Sequence, residues 1–196
     1  MSSVDTIQEH EATGVSNQKM AMWLFLSSEV VFFAVLISTY LFYKGKFSQG
    51  NLSPEELFDI PFTSVSSFIL LMSSLTMVLS HNFYEIKNYE KSRIWIFATA
   101  FLGILFISGQ IYEYTEFIQS GLTISSSIFG TAFYFVTGFH GLHVVIGVIL
   151  LLTTGSQIGP NKNNRKYGLS IESLALYWHC VDIVWIVIFT VVYLIP

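Results

Sequence analysis

The chain has 196 residues, of which 53% are hydrophobic and 11% are charged, and its formal net charge is −4. An ordinary soluble domain carries about 25% charged residues. This composition therefore excludes a water-soluble globular protein. We expect membrane lipids and other membrane proteins as partners, and no nucleic acid.

Apolar stretches long enough to cross a bilayer recur along the chain. A hydrocarbon core of about 30 Å requires about 20 apolar residues of helix. We predict an all-α membrane protein with five transmembrane helices, at residues 20–43, 62–83, 94–117, 126–152 and 174–195. The N-terminal segment is polar and has no apolar core, so it is not a signal peptide. We predict a polar cytoplasmic tail at residues 1–18 and a single five-helix transmembrane domain at residues 19–196.

The lysines and arginines are distributed unevenly between the two ends of the predicted helices. Lys44 and Lys46 lie on one side of the membrane. The other seven lie on the opposite side: Lys19, Lys87, Lys91, Arg93, Lys162, Arg165 and Lys166. Because cytoplasmic loops carry the excess of positive charge, this distribution places the N-terminus in the cytoplasm and the C-terminus outside.

Small residues are concentrated in the second and fourth predicted helices. Ser66, Ser73 and Ser80 are seven residues apart and form a stripe along one face. The fourth helix contains four glycines: Gly130, Gly138, Gly141 and Gly147. Small side chains let helix backbones approach closely in a membrane. We predict that both faces pack against helices of this chain or of a partner.

Ionisable side chains inside the predicted helices need an explanation, because each costs about 2.5–3.5 kcal/mol on insertion scales. At a rise of 1.5 Å per residue, five of them lie about 8–18 Å from the cytoplasmic end of their helix: Glu29, His140, His143, His179 and Asp182. We predict one buried polar layer, in which Glu29 or Asp182 accepts a hydrogen bond from an imidazole on another helix. Each histidine is expected to be a satisfied packing residue, with proton handling as the alternative role.

Two further carboxylates belong to a separate, outer-end acidic site. Glu113 and Glu116 lie about 30 Å from the cytoplasmic start of the third helix. The neighbouring Tyr112 and Tyr114 are typical of the aromatic belt at a membrane interface. We therefore expect Glu113 and Glu116 to be water-exposed boundary residues.

The spacing of the histidines invites a comparison with metal sites. His140 and His143 are three residues apart and share a helix face. A di-metal carboxylate bundle uses Glu-x-x-His pairs, which this sequence lacks, and a two-haem cytochrome requires four suitably placed histidines. The single cysteine, Cys180, is predicted to be a small core residue. We predict no catalytic residue, metal or cofactor in this chain. A stand-alone proton channel or transporter and a metalloenzyme are the competing functions.

Four segments resemble subunit III of the haem-copper cytochrome oxidases. They are WLFLSSEVVFF at residues 23–33, YEYTE at 112–116, FYFVTGFHGLHVVIG at 133–147 and YWHCVDIVWIVIFTVVY at 177–193. The resemblance runs from the first predicted helix to the C-terminus. It is closest to the five-helix bacterial form, which lacks the two leading helices of the longer form. Losing an even number of helices keeps the N-terminus in the cytoplasm.

The resemblance implies an accessory, non-redox subunit of an oxygen-reducing, proton-translocating oxidase in the cytoplasmic membrane of a bacterium. Haems and copper would belong to the catalytic subunit I. Further implied partners are subunit II, a small fourth subunit and a larger respiratory supercomplex. The acidic position of the family motif matches Glu29, the paired histidines match His140 and His143, and the last-helix pair matches His179 and Asp182. The implied roles are support of proton uptake, stability of the catalytic subunit during turnover, and retention of phospholipid.

Some positions differ from the lipid-binding members of the family. Ser38 and Phe42 replace a tryptophan and a histidine, and an arginine expected near Ser156 is missing. Basic residues at a cytoplasmic face attract anionic lipids, so we predict lipid contact at three residues instead: Lys162, Arg165 and Lys166. Cytochrome c is the favoured electron donor and quinol is the alternative, because five-helix forms resemble both branches. The small subunit of nitric oxide reductases is similar but fits these motifs less closely.

Overall fold

A computed structural model describes residues 17–44, 60–125, 128–159 and 168–195. These residues form five helices that are long and apolar enough to cross a membrane. They are α1 (Asn17–Lys44), α2 (Ile60–Glu85), α3 (Tyr89–Gln119), α4 (Ile128–Gln157) and α5 (Gly168–Phe189), and α5 continues as a π-helical turn, Thr190–Leu194. The prediction of an all-α protein with five transmembrane helices is confirmed. Lys46, Lys162, Arg165 and Lys166 lie outside the described residues, and the orientation of the termini stays a prediction.

The helices extend beyond the predicted apolar segments. α3 begins at Tyr89, five residues before the predicted boundary, because the Asn88 side chain caps it by accepting a hydrogen bond from the Lys91 amide at 3.3 Å. α5 begins at Gly168, before the predicted residue 174. Hydropathy marks only the part of a helix that lies in hydrocarbon. The polar turns at the helix ends were therefore missed.

The five helices are not equally buried. α5 packs on α1, α2 and α4, and 44% of its apolar segment is buried inside the chain. α1 packs mainly on α4 and α5, and only 11% of its apolar segment is buried. α5 is therefore central to the bundle, whereas α1 is peripheral and presents most of its apolar surface to lipid or to partner chains.

The serine stripe of α2 faces the interior of this chain. Ser73 accepts a hydrogen bond from Trp178 Nε1 at 2.9 Å, and Ser67 accepts one from Trp185 Nε1 at 2.8 Å. Ser80 donates to the Ser92 carbonyl oxygen at 3.1 Å. The prediction that this face packs against helices is confirmed. Within the bundle, the small hydroxyls also satisfy the polar edges of two buried tryptophans.

Glycines on α3 and α4 make room for the same Trp178 ring. A Cβ atom at Gly103 would lie 2.8 Å from Trp178 Cη2, and one at Gly147 would lie 2.7 Å from Trp178 Cζ3. Both distances are shorter than van der Waals contact allows. The predicted close packing of the α4 glycines is therefore confirmed at Gly147. At Gly138 the nearest atom would be 3.8 Å away, so close packing does not require glycine there.

Candidate functional site

Glu29 on α1 and His143 on α4 form a hydrogen-bonded pair across the two helices. His143 Nε2 lies 3.1 Å from Glu29 Oε2. The two side chains are mostly buried, with 15% of His143 and 21% of Glu29 exposed. The prediction that a carboxylate and an imidazole from different helices pair inside the membrane is confirmed for this pair, which we call the acid–imidazole pair.

The other ring nitrogen of His143 determines where the hydrogens are. Nδ1 lies 2.7 Å from the Phe139 carbonyl oxygen. A carbonyl oxygen only accepts, so Nδ1 carries a hydrogen and donates it. The contact between Nε2 and Glu29 then needs one more hydrogen, either on Nε2 as imidazolium or on the carboxyl as the neutral acid. In both forms the acid–imidazole pair holds one shared proton and has no net charge.

α5 holds this part of the bundle together from a third side. The Tyr177 hydroxyl donates to the backbone carbonyl oxygen of His143 at 2.9 Å. The Phe33 ring lies 5.2 Å from the His143 ring, edge to face. These contacts fix the His143 backbone and cover one side of its ring. Tyr177 is a positioning residue that the sequence analysis missed, although it begins the motif at residues 177–193.

His140 lies one helical turn from His143 and is fully buried. Its ring stacks on Trp185, with centroids 4.8 Å apart, and meets the edges of Phe106 at 5.9 Å and Phe33 at 6.5 Å. Neither ring nitrogen has a hydrogen-bond partner within the described residues. The packing role expected for His140 is confirmed, and no protein atom among the described residues pairs with its ring nitrogens.

His179 and Asp182 form a second polar group with Ser74 of α2, which we call the α5 polar cluster. Ser74 Oγ lies 2.6 Å from His179 Nδ1. Asp182 is 3% exposed, and among the described residues neither of its carboxyl oxygens has a hydrogen-bond partner. The Ser74 hydroxyl interacts with the carboxyl without hydrogen-bond geometry. Of the two carboxylates predicted to accept from an imidazole, Glu29 pairs with a histidine, whereas Asp182 has no imidazole partner among the described residues.

The outer-end acidic site divides into one buried and one exposed carboxylate. Glu113 is 4% exposed and accepts hydrogen bonds from Thr63 of α2 and from Tyr193 in the π-helical turn. Glu116 is exposed and accepts from the Tyr112 hydroxyl at 2.7 Å. The expectation of an exposed residue is therefore wrong for Glu113, whereas Glu116 is on the surface of the chain and its contact with water stays a prediction.

A periodic signal in the sequence could have separated these two carboxylates. The buried residues of α3 recur at alternating spacings of three and four: Gly103, Phe106, Gln110, Glu113 and Phe117. Glu116 does not fit this pattern. Gln110, on the same face, donates to the Thr137 carbonyl oxygen at 2.9 Å and is another buried polar residue that the sequence analysis missed.

An open apolar groove of about 710 Å³ runs between α1, α4 and α5. The acid–imidazole pair lies on its wall, and most of the other lining residues are apolar, including Phe25, Phe32, Leu142 and Ile146. Near one end of the groove, Lys19 Nζ lies 2.5 Å from Glu172 Oε1.

Among the described residues, no three histidine, cysteine, aspartate or glutamate side chains are arranged to hold a metal ion. Cys180 is half-buried rather than fully in the core.

Residues 1–195 match the model of the family described as cytochrome c oxidase subunit III. The chain belongs to this family. It is 40% identical to cytochrome c oxidase subunit 3 of Bacillus sp. (strain PS3) over 186 residues, which cover 91% of this chain and 86% of the relative. It is 37% identical to the same subunit of Bacillus subtilis (strain 168), with coverage of 91% and 86%. Quinol oxidase subunit 3 of Bacillus subtilis (strain 168) is 31% identical, with coverage of 95% and 97%.

Membership of the subunit III family confirms the resemblance carried by the four motifs. The chain is an accessory subunit of a multi-subunit haem-copper oxidase and a multi-pass protein of a bacterial membrane. The stand-alone transporter and the metalloenzyme, which the composition had left open, are therefore set aside. The family includes both cytochrome c and quinol oxidases, so membership alone does not assign the electron donor.

Proposed function

We propose that this subunit III keeps a proton-holding site beside the catalytic subunit, supports proton uptake there and prolongs turnover, without a redox centre of its own. The acid–imidazole pair is the observation that carries this proposal. The pair is neutral as a whole, so it can lie inside the membrane. Its two side chains share one proton, and a change in their surroundings can move that proton from one side chain to the other. Haem and copper chemistry is assigned to subunit I, and the electron-entry site to subunit II.

We propose cytochrome c as the electron donor of the assembled oxidase. The two cytochrome c oxidase relatives are 40% and 37% identical to this chain, whereas the quinol oxidase relative is 31% identical. Quinol remains the alternative donor. A small fourth subunit and a respiratory supercomplex are further proposed partners.

We also propose that the groove between α1, α4 and α5 holds an acyl chain of a phospholipid. The groove is lined mostly by apolar side chains and extends along α1 from Met22 to Phe32, a length of about 15 Å. Ser170 and Ser173 line the end near the Lys19–Glu172 ion pair. This end is on the predicted cytoplasmic side, where anionic lipids are concentrated. Lys162, Arg165 and Lys166 precede α5 in the chain and are the proposed head-group contacts.

Purification of this chain from its native membrane in mild detergent tests the proposed assembly. We expect subunits I and II to copurify, the haem absorption bands to belong to subunit I, and oxygen consumption to be faster with reduced cytochrome c than with quinol. A preference for quinol would reverse the donor assignment. Purification of the chain alone, without haem proteins, would overturn the proposal as a whole.

A further inference from the structure

A second, much smaller cavity lies between α1, α4 and α5, beside the groove. Its volume is about 10 Å³. A cavity needs about 10–15 Å³ on this measure to hold one water molecule. Five titratable side chains line this cavity: Glu29, His140, His143, Tyr177 and Cys180. Its other walls come mainly from apolar side chains, including Leu26, Phe33, Val181 and Val184.

His140 needs a polar partner at this cavity. A neutral imidazole presents one N–H donor and one bare nitrogen, and neither is paired within the described part of the chain. Trp185 covers one face of the ring, and Phe33 and Phe106 pack beside it. Native proteins seldom leave a buried polar atom unpaired, and an ordered water is a common partner for such an atom.

The acid–imidazole pair offers partners on the same cavity. A carboxyl group has about four acceptor positions on its two oxygens, and the contact with His143 uses Oε2 of Glu29. Glu29 can therefore accept a second hydrogen bond. His143, in contrast, has both ring nitrogens engaged, one with Phe139 and one with Glu29. His140 and Glu29 both line the cavity, and they offer a water an unpaired ring nitrogen and a carboxyl oxygen.

We propose that one water molecule binds in this cavity and joins His140 to Glu29 by hydrogen bonds. Glu29, His143 and His140 then form one hydrogen-bonded unit that links α1 and α4. This inference goes beyond the proposed function and does not depend on it, because it concerns only the contacts of three side chains of this subunit. A bound metal ion fits less well, since His143 has no free nitrogen to coordinate it.

A density map of the intact oxidase, at a resolution that shows buried waters in the catalytic subunit, tests the proposal without any variant. We expect one peak at about 2.7–3.2 Å from both a His140 nitrogen and a Glu29 oxygen. A cavity without density in that map would overturn the proposal. A peak at about 2.0–2.1 Å from ring nitrogens would also overturn it, because that distance indicates a metal ion.

The sign of a stability change provides a second test. If the water is present, His140→Phe removes one of the hydrogen-bond partners of that water. We then expect the midpoint of thermal unfolding of subunit III within the oxidase to fall by about 2–4 °C. His140→Gln keeps donor and acceptor atoms and should lower the midpoint less. If the cavity is dry, His140→Phe replaces two unpaired polar atoms by apolar ones. An unchanged or higher midpoint would therefore contradict the proposal.

Discussion

The acid–imidazole pair and the α5 polar cluster each contain a carboxylic acid and a histidine, but they are built differently. Glu29 and His143 come from different helices and contact each other at 3.1 Å. His179 and Asp182 come from one helix, and the histidine contacts Ser74 at 2.6 Å instead of the aspartate. The neighbouring helix therefore decides the role. A carboxylate opposite an imidazole shares a proton with it, whereas a serine opposite the histidine provides a hydrogen bond to the ring and leaves the aspartate without an imidazole partner.

The two regions also differ in access and in what holds them. The acid–imidazole pair lies on the wall of an open groove, on the weakly buried helix α1. The α5 polar cluster is on the same helix as Trp178 and Trp185, which donate hydrogen bonds to α2 serines, and glycines of α3 and α4 make room for Trp178. We infer that the first region has a functional role and that the second is structural, held by its tryptophans more than by its polar atoms.

Trp178→Ala should have the greatest effect of the four substitutions that compare the two regions. It removes a fully buried side chain, and such truncations cost about 3–5 kcal/mol. We expect subunit III to be lost from the purified oxidase, as measured by the subunit ratio after detergent extraction. Trp23→Ala is the matched control, because Trp23 is 56% exposed, and it should leave the ratio near that of the wild type. Equal retention of subunit III in both variants would contradict the assignment of Trp178 to the structural region.

Glu29→Ala should affect function more than assembly. The change leaves the Nε2 atom of a mostly buried imidazole unpaired, at a cost of about 1–3 kcal/mol. We expect nearly normal haem content but faster inactivation of the oxidase during sustained turnover, measured as oxygen consumption over time. Complete loss of haem in this variant would indicate an assembly role instead.

Ser74→Ala should produce a smaller effect that is confined to stability. The variant removes the hydrogen bond to His179 Nδ1, which is worth about 1 kcal/mol. We expect a slightly lower midpoint of thermal unfolding and an unchanged lifetime during turnover. A shortened lifetime at normal stability would show that the α5 polar cluster also has a functional role.

Asp182→Asn should have the smallest effect. The Asp182 carboxyl makes no hydrogen bond to other described residues, so the amide of the same shape loses little, and we expect a smaller change in stability than that of Ser74→Ala. The midpoint of unfolding, compared with that of Ser74→Ala, measures this difference. A loss greater than that of Ser74→Ala would reveal an Asp182 partner and would remove the contrast between the two regions.

The sequence was sufficient for the membrane spans and for part of the site. Apolar length predicted the five helices, the seven-residue spacing of serines predicted a packed face on α2, and helical depth brought Glu29 and His143 to similar levels. The depth of a residue along its helix does not show which neighbouring helix its side chain faces. The different surroundings of His143 and Asp182 could therefore not be predicted from depth. The burial of Glu113 was missed for a different reason, since the nearby tyrosines suggested an interface while the heptad-like spacing on α3 indicated the interior.

The lifetime of the oxidase with Glu29→Gln, at matched haem content, separates proton sharing from hydrogen bonding. His143 Nδ1 donates to Phe139, so the bare Nε2 can accept a hydrogen bond from the glutamine amide, but the shared proton is lost. We expect normal assembly and a turnover lifetime as short as that of Glu29→Ala. A lifetime equal to that of the wild type would show that the hydrogen bond alone suffices, which would contradict a proton-holding role for the acid–imidazole pair.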